Sequence, residues 1–339
     1  MQVIKFANTA LSEDEYFLLI SGKEEHGNFK EPLRMIKELR TNYTCCDFEY
    51  QFLTIMIRNF RRIILMKPRS IQSWIKRIDK IFADRFYTRT YDNTDKRWKF
   101  EQTNFGKEIS EALAYGKLQK KVLKKFYHHN KINTCGYCNS QYTLTFLKDG
   151  SASVKFQLDH IFPKKKYPYF SISMYNLVPS CANCNLNKGD KDFWIEDFCH
   201  PYIESIGDRF KYTLSKESDL ALYTSAKNVD LDDLRISITN LNDKKVHAHN
   251  ELFDLEGIHG NFNDIAREIL SLGMEYPESR RYELLEKYKD EKNNKLFTSK
   301  ESIDRVFLRI YPEKEKRNER PLSKFIQDLA RFSDFYDDK

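Results

Sequence analysis

Cys135-Gly136-Tyr137-Cys138, Leu158-Asp159-His160-Ile161, Tyr175-Asn176-Leu177 and Cys181-Ala182-Asn183-Cys184-Asn185 are the four stretches whose reading decides the fold of this chain's middle. The two C-x-x-C pairs are separated by 42 residues. Two thiolate knuckles of this kind can hold one tetrahedral Zn²⁺ at about 2.3 Å per sulfur. The expected ligands are Cys135, Cys138, Cys181 and Cys184. Four thiolates fill the coordination sphere, so this zinc would be scaffold and any reaction centre must lie elsewhere. Seven cysteines are an odd number, which excludes a complete intramolecular disulfide set and favours metal over disulfide.

Working outward, Gln141–Leu147 alternates in strand fashion, Lys148-Asp149-Gly150-Ser151 is a turn, and Val154–Leu158 reads as the second strand of a hairpin. Asp159-His160 would close that second strand. Neighbours on a strand point to opposite faces, so only a twist or bulge lets both serve one site. A short helix should start near Cys184. Asn185 directly follows the last cysteine, and Lys188 follows it by three residues on the same side of that helix.

The ordered set of C-x-x-C, a strand ending in Asp-His, Asn176 before the second knuckle, and C-x-x-C-Asn resembles the HNH nucleases, also called ββα-metal or His-Me finger nucleases. The zinc-braced subset fits best, which includes phage endonuclease VII and HNH proteins of bacterial anti-phage systems such as Septu and retrons. The likeness covers about residues 131–195. The final His of the family name is Asn185 here. Arg320-Pro-Leu-Ser-Lys324 also looks like the C-terminal stretch of some bacterial HNH proteins. The resemblance implies a metal-dependent endonuclease that hydrolyses phosphodiester bonds, most readily DNA, gated within anti-phage defence or restriction. It would make His160 the general base, a role that an imidazole suits near neutral pH. Asp159 and Asn185 would be hard oxygen ligands for a catalytic Mg²⁺ or Mn²⁺, with Asn187 in reserve. Asn176 would pin the loop that orients His160. A regulatory ATPase or sensor subunit is the protein partner it leaves room for.

Charge is uneven. Residues 1–130 carry +9, 131–200 carry +2 and 201–339 carry −4. No acidic residue occurs between Glu111 and Asp149. Gly106–His129 reads as a helix, and its pairs Lys120/Lys124 and Lys121/Lys125 stack like charge at i,i+4. These four, with Lys164, Lys165, Lys166 and Lys188, are the expected nucleic-acid contacts. Tyr167, Tyr169 and Phe170, interleaved after the lysine run, suit splayed bases.

The chain has 339 residues, 40% hydrophobic and 32% charged, with 25 Phe, 20 Tyr, 11 Gly and 9 Pro. Scarce Gly and Pro disfavour a turn-dense all-β fold. The apolar runs are too short to cross a bilayer, and Glu13, Asp14 and Glu15 interrupt any signal-peptide core. The expectation is a cytoplasmic, helix-rich α+β protein with no membrane partner. Its three parts would be a basic helical 1–130, a zinc-braced module at 131–200 and a mixed, mainly helical 201–339.

Within these, Phe48–Met66 and a helix capped by Ser70 or Ser73 and running to Phe86 show helical spacing. Residues 1–44 read as irregular apart from Pro32–Leu39, and 88–104 as polar and turn-like. Phe210–Leu214 and Leu220–Tyr223 could pair as strands. Asn263–Leu272, Tyr282–Tyr288, Ile303–Tyr311 and Leu322–Phe332 read as helices, with Glu313–Arg320 a charged linker. Cys45-Cys46 reads as a buried or semi-buried pair without function, Cys199-His200 as a spare ligand set for a zinc already full, and His128-His129 as favouring a helix C-terminus or phosphate, while His247, His249 and His259 lack matching Cys or carboxylate spacing. The rival reading is a zinc-ribbon protein that binds nucleic acid without cutting it. An HNH-type RNase is a further alternative.

Overall fold

A computed structural model describes residues 2–6, 9–22, 31–94, 97–130, 132–219, 234–290, 293–333 and 335. The architecture is α+β and rich in helix, with only two-stranded antiparallel sheets among the described residues. No helix there is long and apolar enough to cross a membrane. By compactness the chain divides into two units. One comprises residues 1–3, 133–142 and 197–339; the other comprises 4–132 and 143–196. This division cuts through 131–200 rather than following it.

The second unit opens with α1 (Thr9–Ile20), α2 (Pro32–Arg40), α3 (Phe48–Arg58), α4 (Phe60–Ile64) and α5 (Pro68–Phe86). The start of the chain is thus more regular than its composition suggests. Pro68 occupies the first position of α5, where its missing N–H costs nothing; no serine caps that helix. Phe48, Phe52, Phe86 and Phe105 pack ring on ring.

Residues 88–104 are not a turn region: β1 (Tyr87–Asp92) and β2 (Arg97–Gln102) form an antiparallel hairpin. Its strands are exposed, so no alternation of apolar and polar residues marks them. Next comes α6 (Asn104–Leu113), capped by the Thr103 side chain, which accepts from the Gly106 N–H at 3.1 Å. A Cβ at Gly106 would lie 2.3 Å from the Phe86 carbonyl oxygen, so only glycine fits there.

The single basic helix expected over Gly106–His129 is broken. Ala114 sits in the left-handed region at φ 49°, followed by α7 (Tyr115–Leu118), a π turn at Gln119–Leu123 and α8 (Lys124–His129). The expected Lys120/Lys124 pair therefore straddles a π turn rather than lying in one continuous α-helix.

The strand order also differs from expectation. β3 (Leu144–Lys148) and β4 (Ser151–Lys155) make a hairpin around Asp149 and Gly150, both at positive φ, as the mirror-image turns of tight hairpins require. The chain bends at Phe156. Asp159 and His160 belong to a separate strand, β5 (Gln157–His160), which pairs with β6 (Leu177–Ser180). With α9 (Ala182–Lys188), these form a ββα strip. The N-terminal helices hold it through tyrosine hydroxyls: Tyr115 donates to the Leu158 carbonyl and Tyr127 to the Leu177 carbonyl. Tyr16 likewise donates to Ile172. Each such bond contributes roughly 1 kcal/mol.

In the other unit, β7 (Tyr212–Leu214) pairs with β8 (Ile236–Ile238). The alternative partner Leu220–Tyr223 lies outside the described residues. Helices run over Lys244–Phe253, Leu255–Gly260, Asn263–Glu275, Glu278–Lys287, Lys300–Leu308 and Ser323–Phe332. The charged segment before the last of these is a short 3₁₀ helix, Lys314–Glu319, anchored by buried Arg317. That guanidinium donates to Gln327 Oε1 and Asp208 Oδ1.

Candidate metal and reaction centres

The sulfurs of Cys135, Cys138, Cys181 and Cys184 lie within 4.8 Å of one another. A tetrahedral ion with sulfur at about 2.3 Å needs S···S separations near 3.8 Å, so the donor set fits a thiophilic cation such as Zn²⁺. Backbone and hydroxyl donors support the thiols. Ser140 donates to Cys138 Sγ from its N–H at 3.4 Å and its hydroxyl at 3.1 Å. The Cys184 N–H donates to Cys181 Sγ at 3.5 Å, which makes Cys181 the cap of α9.

The first knuckle has supports that sequence reasoning missed. Asn139, at φ 57°, is fully buried. Its amide donates to Thr134 Oγ1 and the Arg317 carbonyl, and its own carbonyl accepts from Leu322 N–H. Lys324 N–H donates to Asn139 Oδ1. The Arg320–Lys324 stretch therefore folds onto the turn after Cys138. His249 donates from Nε2 to the Tyr137 carbonyl.

On the ββα strip, His160 is buried and its Nε2 lies 2.8 Å from the Ser171 carbonyl oxygen. A carbonyl only accepts, so Nε2 carries the proton and Nδ1 keeps the lone pair. Tyr115 packs edge-on against the imidazole at 4.5 Å between ring centroids. Burial, with Lys164 and Lys188 nearby, pushes the imidazole pKa down to about 3, so the ring is neutral at pH 7.

Asn176 uses its whole amide. Oδ1 accepts from Phe162 N–H at 2.8 Å; Nδ2 donates to the carbonyls of Phe162 at 3.1 Å and Phe170 at 3.0 Å. It thereby closes the loop that carries Ser171, the partner of His160.

Gln157 and Asp159 alternate onto one face of β5, and α9 meets that face. Asn185 donates from Nδ2 to Gln157 Oε1, which leaves its Oδ1 without a hydrogen-bond partner among the described residues. Lys188, one turn further, is completely buried. Its ammonium donates to the His160 carbonyl at 2.6 Å and lies 3.4 Å from Asp159 Oδ1. Burial lowers the Lys188 pKa, and Asp159 opposes that shift. A carboxylate and an amide oxygen on one face suit a hard divalent cation, although Asp159 already has Lys188 as counter-ion. Asn187, the reserve ligand, is exposed.

Two expected phosphate contacts are corrected by this geometry. Lys188, expected to reach a phosphate from the short helix, is interior and held by β5 through the His160 carbonyl and Asp159. Lys166 is buried too: it pairs with Asp192 at 2.9 Å and lies 3.8 Å from the Phe100 ring centroid. The expected base platforms Tyr167, Tyr169 and Phe170 are also buried; Tyr169 packs on Phe52 and Phe86. Their apolar bodies had a core to fill. Lys164 is exposed and lies 5.0 Å from the Tyr115 ring centroid; Lys165 is exposed and pairs with Asp190. Lys120 and Lys125 are exposed and Lys124 half-buried, while the Lys121 side chain lies outside the described residues.

Comparison with known proteins agrees with this strip. Residues 135–191 match the HNH endonuclease family model. Protein ea31 of Escherichia phage lambda is 30% identical over 104 residues, covering 27% of this chain and 35% of that protein. Septu protein PtuB of Bacillus thuringiensis is 30% identical over 79 residues, covering 23% of this chain and 28% of that protein. The chain thus spans about a third of the length of the curated relatives it matches. No solved structure matches it.

Proposed function

From the HNH endonuclease domain at residues 135–191 we propose that this chain is a divalent-metal-dependent endonuclease, that DNA is its substrate, and that it works as an effector of anti-phage defence. The single observation that carries the reading is the convergence of Asp159, His160 and Lys188-bearing α9 on one strip whose loop is pinned by Asn176. The likeness to Septu PtuB supports the defence role and a regulatory partner.

In this reading His160 Nδ1 takes a proton from the attacking water as oxygen bonds to phosphorus. The bond to the 3′-oxygen breaks, and that oxygen leaves as a hydroxyl after protonation by solvent. The Ser171 carbonyl holds the ring so that Nδ1 is the free nitrogen. An arriving phosphate counteracts the desolvation that depresses the imidazole pKa, which strengthens the base when substrate is present. Asp159 and Asn185 would hold a divalent cation, which would neutralise charge on the phosphate and the leaving oxygen. Zinc in the Cys₄ cluster is structural. The segment 1–130 contributes grip through Lys120, Lys121, Lys124 and Lys125, with Lys164 and Lys165 beside the centre, and 201–339 contributes docking or control.

The non-catalytic zinc-ribbon reading has one observation in its favour: Lys188 already neutralises Asp159, as a binding module would need. Supercoiled plasmid nicking with Mg²⁺ or Mn²⁺, beside a labelled RNA of the same sequence, separates the readings. Metal-dependent nicking that is lost in His160→Ala supports the nuclease. No strand scission of either polymer, with full binding, supports the rival.

A further inference from the structure

The β1–β2 hairpin has one face made of rings. Side chains alternate along a strand, so its register places Tyr87, Arg89 and Tyr91 with Trp98, Phe100 and Gln102 on a single side. The stripe runs outward. Tyr87 and Phe100 are in edge contact at 5.7 Å, half-buried over Lys166. Beyond them the Arg89 guanidinium lies 5.1 Å from the Trp98 ring centroid, and Tyr91 meets Trp98 at 5.2 Å. Trp98 is 51% and Tyr91 49% exposed.

A cleft of about 1040 Å³ lies between this stripe and the end of α9. Trp98 and Phe100 line one wall. Leu186, Asn187 and Gly189 line the other, with Leu186 80% exposed. The lining holds six lysines against three carboxylates. Lys166 and Lys188 are buried in ion pairs, while Lys107 and Lys191 are exposed and carry no ion pair among the described residues. The volume is at the upper end of sites that enclose a small ligand, about 300–1,000 Å³.

We propose that this cleft holds unpaired nucleotides of the substrate, with a base stacked on Trp98 and Tyr91 and its phosphates facing the exposed lysines. The proposal rests on the nucleic-acid reading above and adds a substrate class: a strand, or a junction, with unpaired bases beside the cleaved bond. Ring faces with cations between them are what a single strand needs. A paired duplex hides its base faces in its own stack, so an aromatic stripe gains nothing from it. The cleft also shares α9 with Asn185 and Lys188, which places the bound strand beside the proposed reaction centre.

The test is binding by the full-length protein, without added divalent cation, to a fluorescent single-stranded DNA, a single-stranded RNA, a blunt duplex and a duplex with an unpaired flap. Trp98→Ala with Tyr91→Ala should weaken single-strand and flap binding roughly 5- to 100-fold, the range for losing base–aromatic stacking. Blunt-duplex affinity should change less than about twofold. Trp98→Phe keeps a ring and should recover most of the loss; Thr90→Ala, on the opposite face, should bind like the parent. The DNA and RNA arms identify which strand the cleft takes. Unchanged single-strand affinity in the double variant would overturn the proposal and make the stripe a protein-docking face. Equal losses on all four probes, with no recovery by Trp98→Phe, would overturn it as a folding defect of the hairpin. Binding without divalent cation is read separately from nicking by the parent protein. Loss of the nuclease reading with Trp98-dependent binding intact therefore differs from the converse result.

Discussion

The strip β5–β6–α9 and the hairpin β1–β2 are both built on two antiparallel strands of the same unit, yet they hold their polar groups in opposite ways. On the strip Asp159, His160, Asn176 and Lys188 are all buried, and each is fixed by a named neighbour. On the hairpin Arg89, Tyr91 and Trp98 face solvent and touch mainly one another. Groups that must keep one geometry to within a fraction of an ångström are locked by packing; groups that must meet a variable polymer stay accessible. The contrast also separates two kinds of lysine. Lys188 and Lys166 act inside the fold, whereas Lys164 is exposed and Lys165 is exposed while paired with Asp190.

The largest expected effect falls on the scaffold. If the four thiols hold zinc as proposed, Cys138→Ser or Cys184→Ser should impair folding, because structural zinc in zinc-finger peptides contributes roughly 10–16 kcal/mol. Zinc content and far-UV circular dichroism check this together. A folded, zinc-free variant with an intact parental spectrum would mean the four thiols hold no essential metal.

The next effect tests whether the strip is locked. Lys188→Met should cost about 3–5 kcal/mol, because it removes one partner of a buried ion pair. Adding Asp159→Asn to it should recover part of that loss in a urea titration. A cost below about 1 kcal/mol would place Lys188 with the accessible lysines and erase the contrast.

The smallest effect concerns the join between the two regions. Asp79 lies beside Tyr167 and Asp192, and burial pushes its pKa up to about 6. A carboxyl whose folded pKa is raised favours folding below its unfolded value near 4, and loses that contribution as pH rises through about 6. Asp79→Asn should therefore stabilise the protein at pH 7. The gain is about 1 kcal/mol once solvent screening of the partly exposed carboxyl is allowed for, and it should vanish below about pH 4. Thermal midpoints at the two pH values read it directly. A gain that persists at pH 3.5 would assign the effect to packing rather than charge.

What could be read from the sequence follows the same contrast. The cysteine cluster was legible because a rare residue type at fixed spacing marks a metal site without knowledge of the fold, whereas the Asp-His pair and Asn176 drew attention only through the family resemblance. The i,i+3 relation of Asn185 and Lys188 was legible as well, but burial was not, since it depends on β5 meeting that helix face. The hairpin was invisible. Thr88, Arg89 and Thr90 show no apolar period, and Trp98 joins Tyr91 only through the register. Ala114 gave no sign of a helix break, because alanine is a helix former and tertiary packing alone placed it at positive φ. Asn139 and Arg320–Lys324 are about 180 residues apart, so their contact could not be seen from either segment.

The most direct measurement is the initial rate of supercoiled-plasmid nicking in Mg²⁺ or Mn²⁺ by the parent and by His160→Ala, each checked for equal zinc content and equal DNA affinity. Metal-dependent nicking by the parent is expected, with a fall of about 10²–10⁴-fold in the variant, the usual loss on removing a general base. Equal rates for the two proteins would remove His160 from the mechanism and contradict the assignment of the reaction centre to β5 and α9.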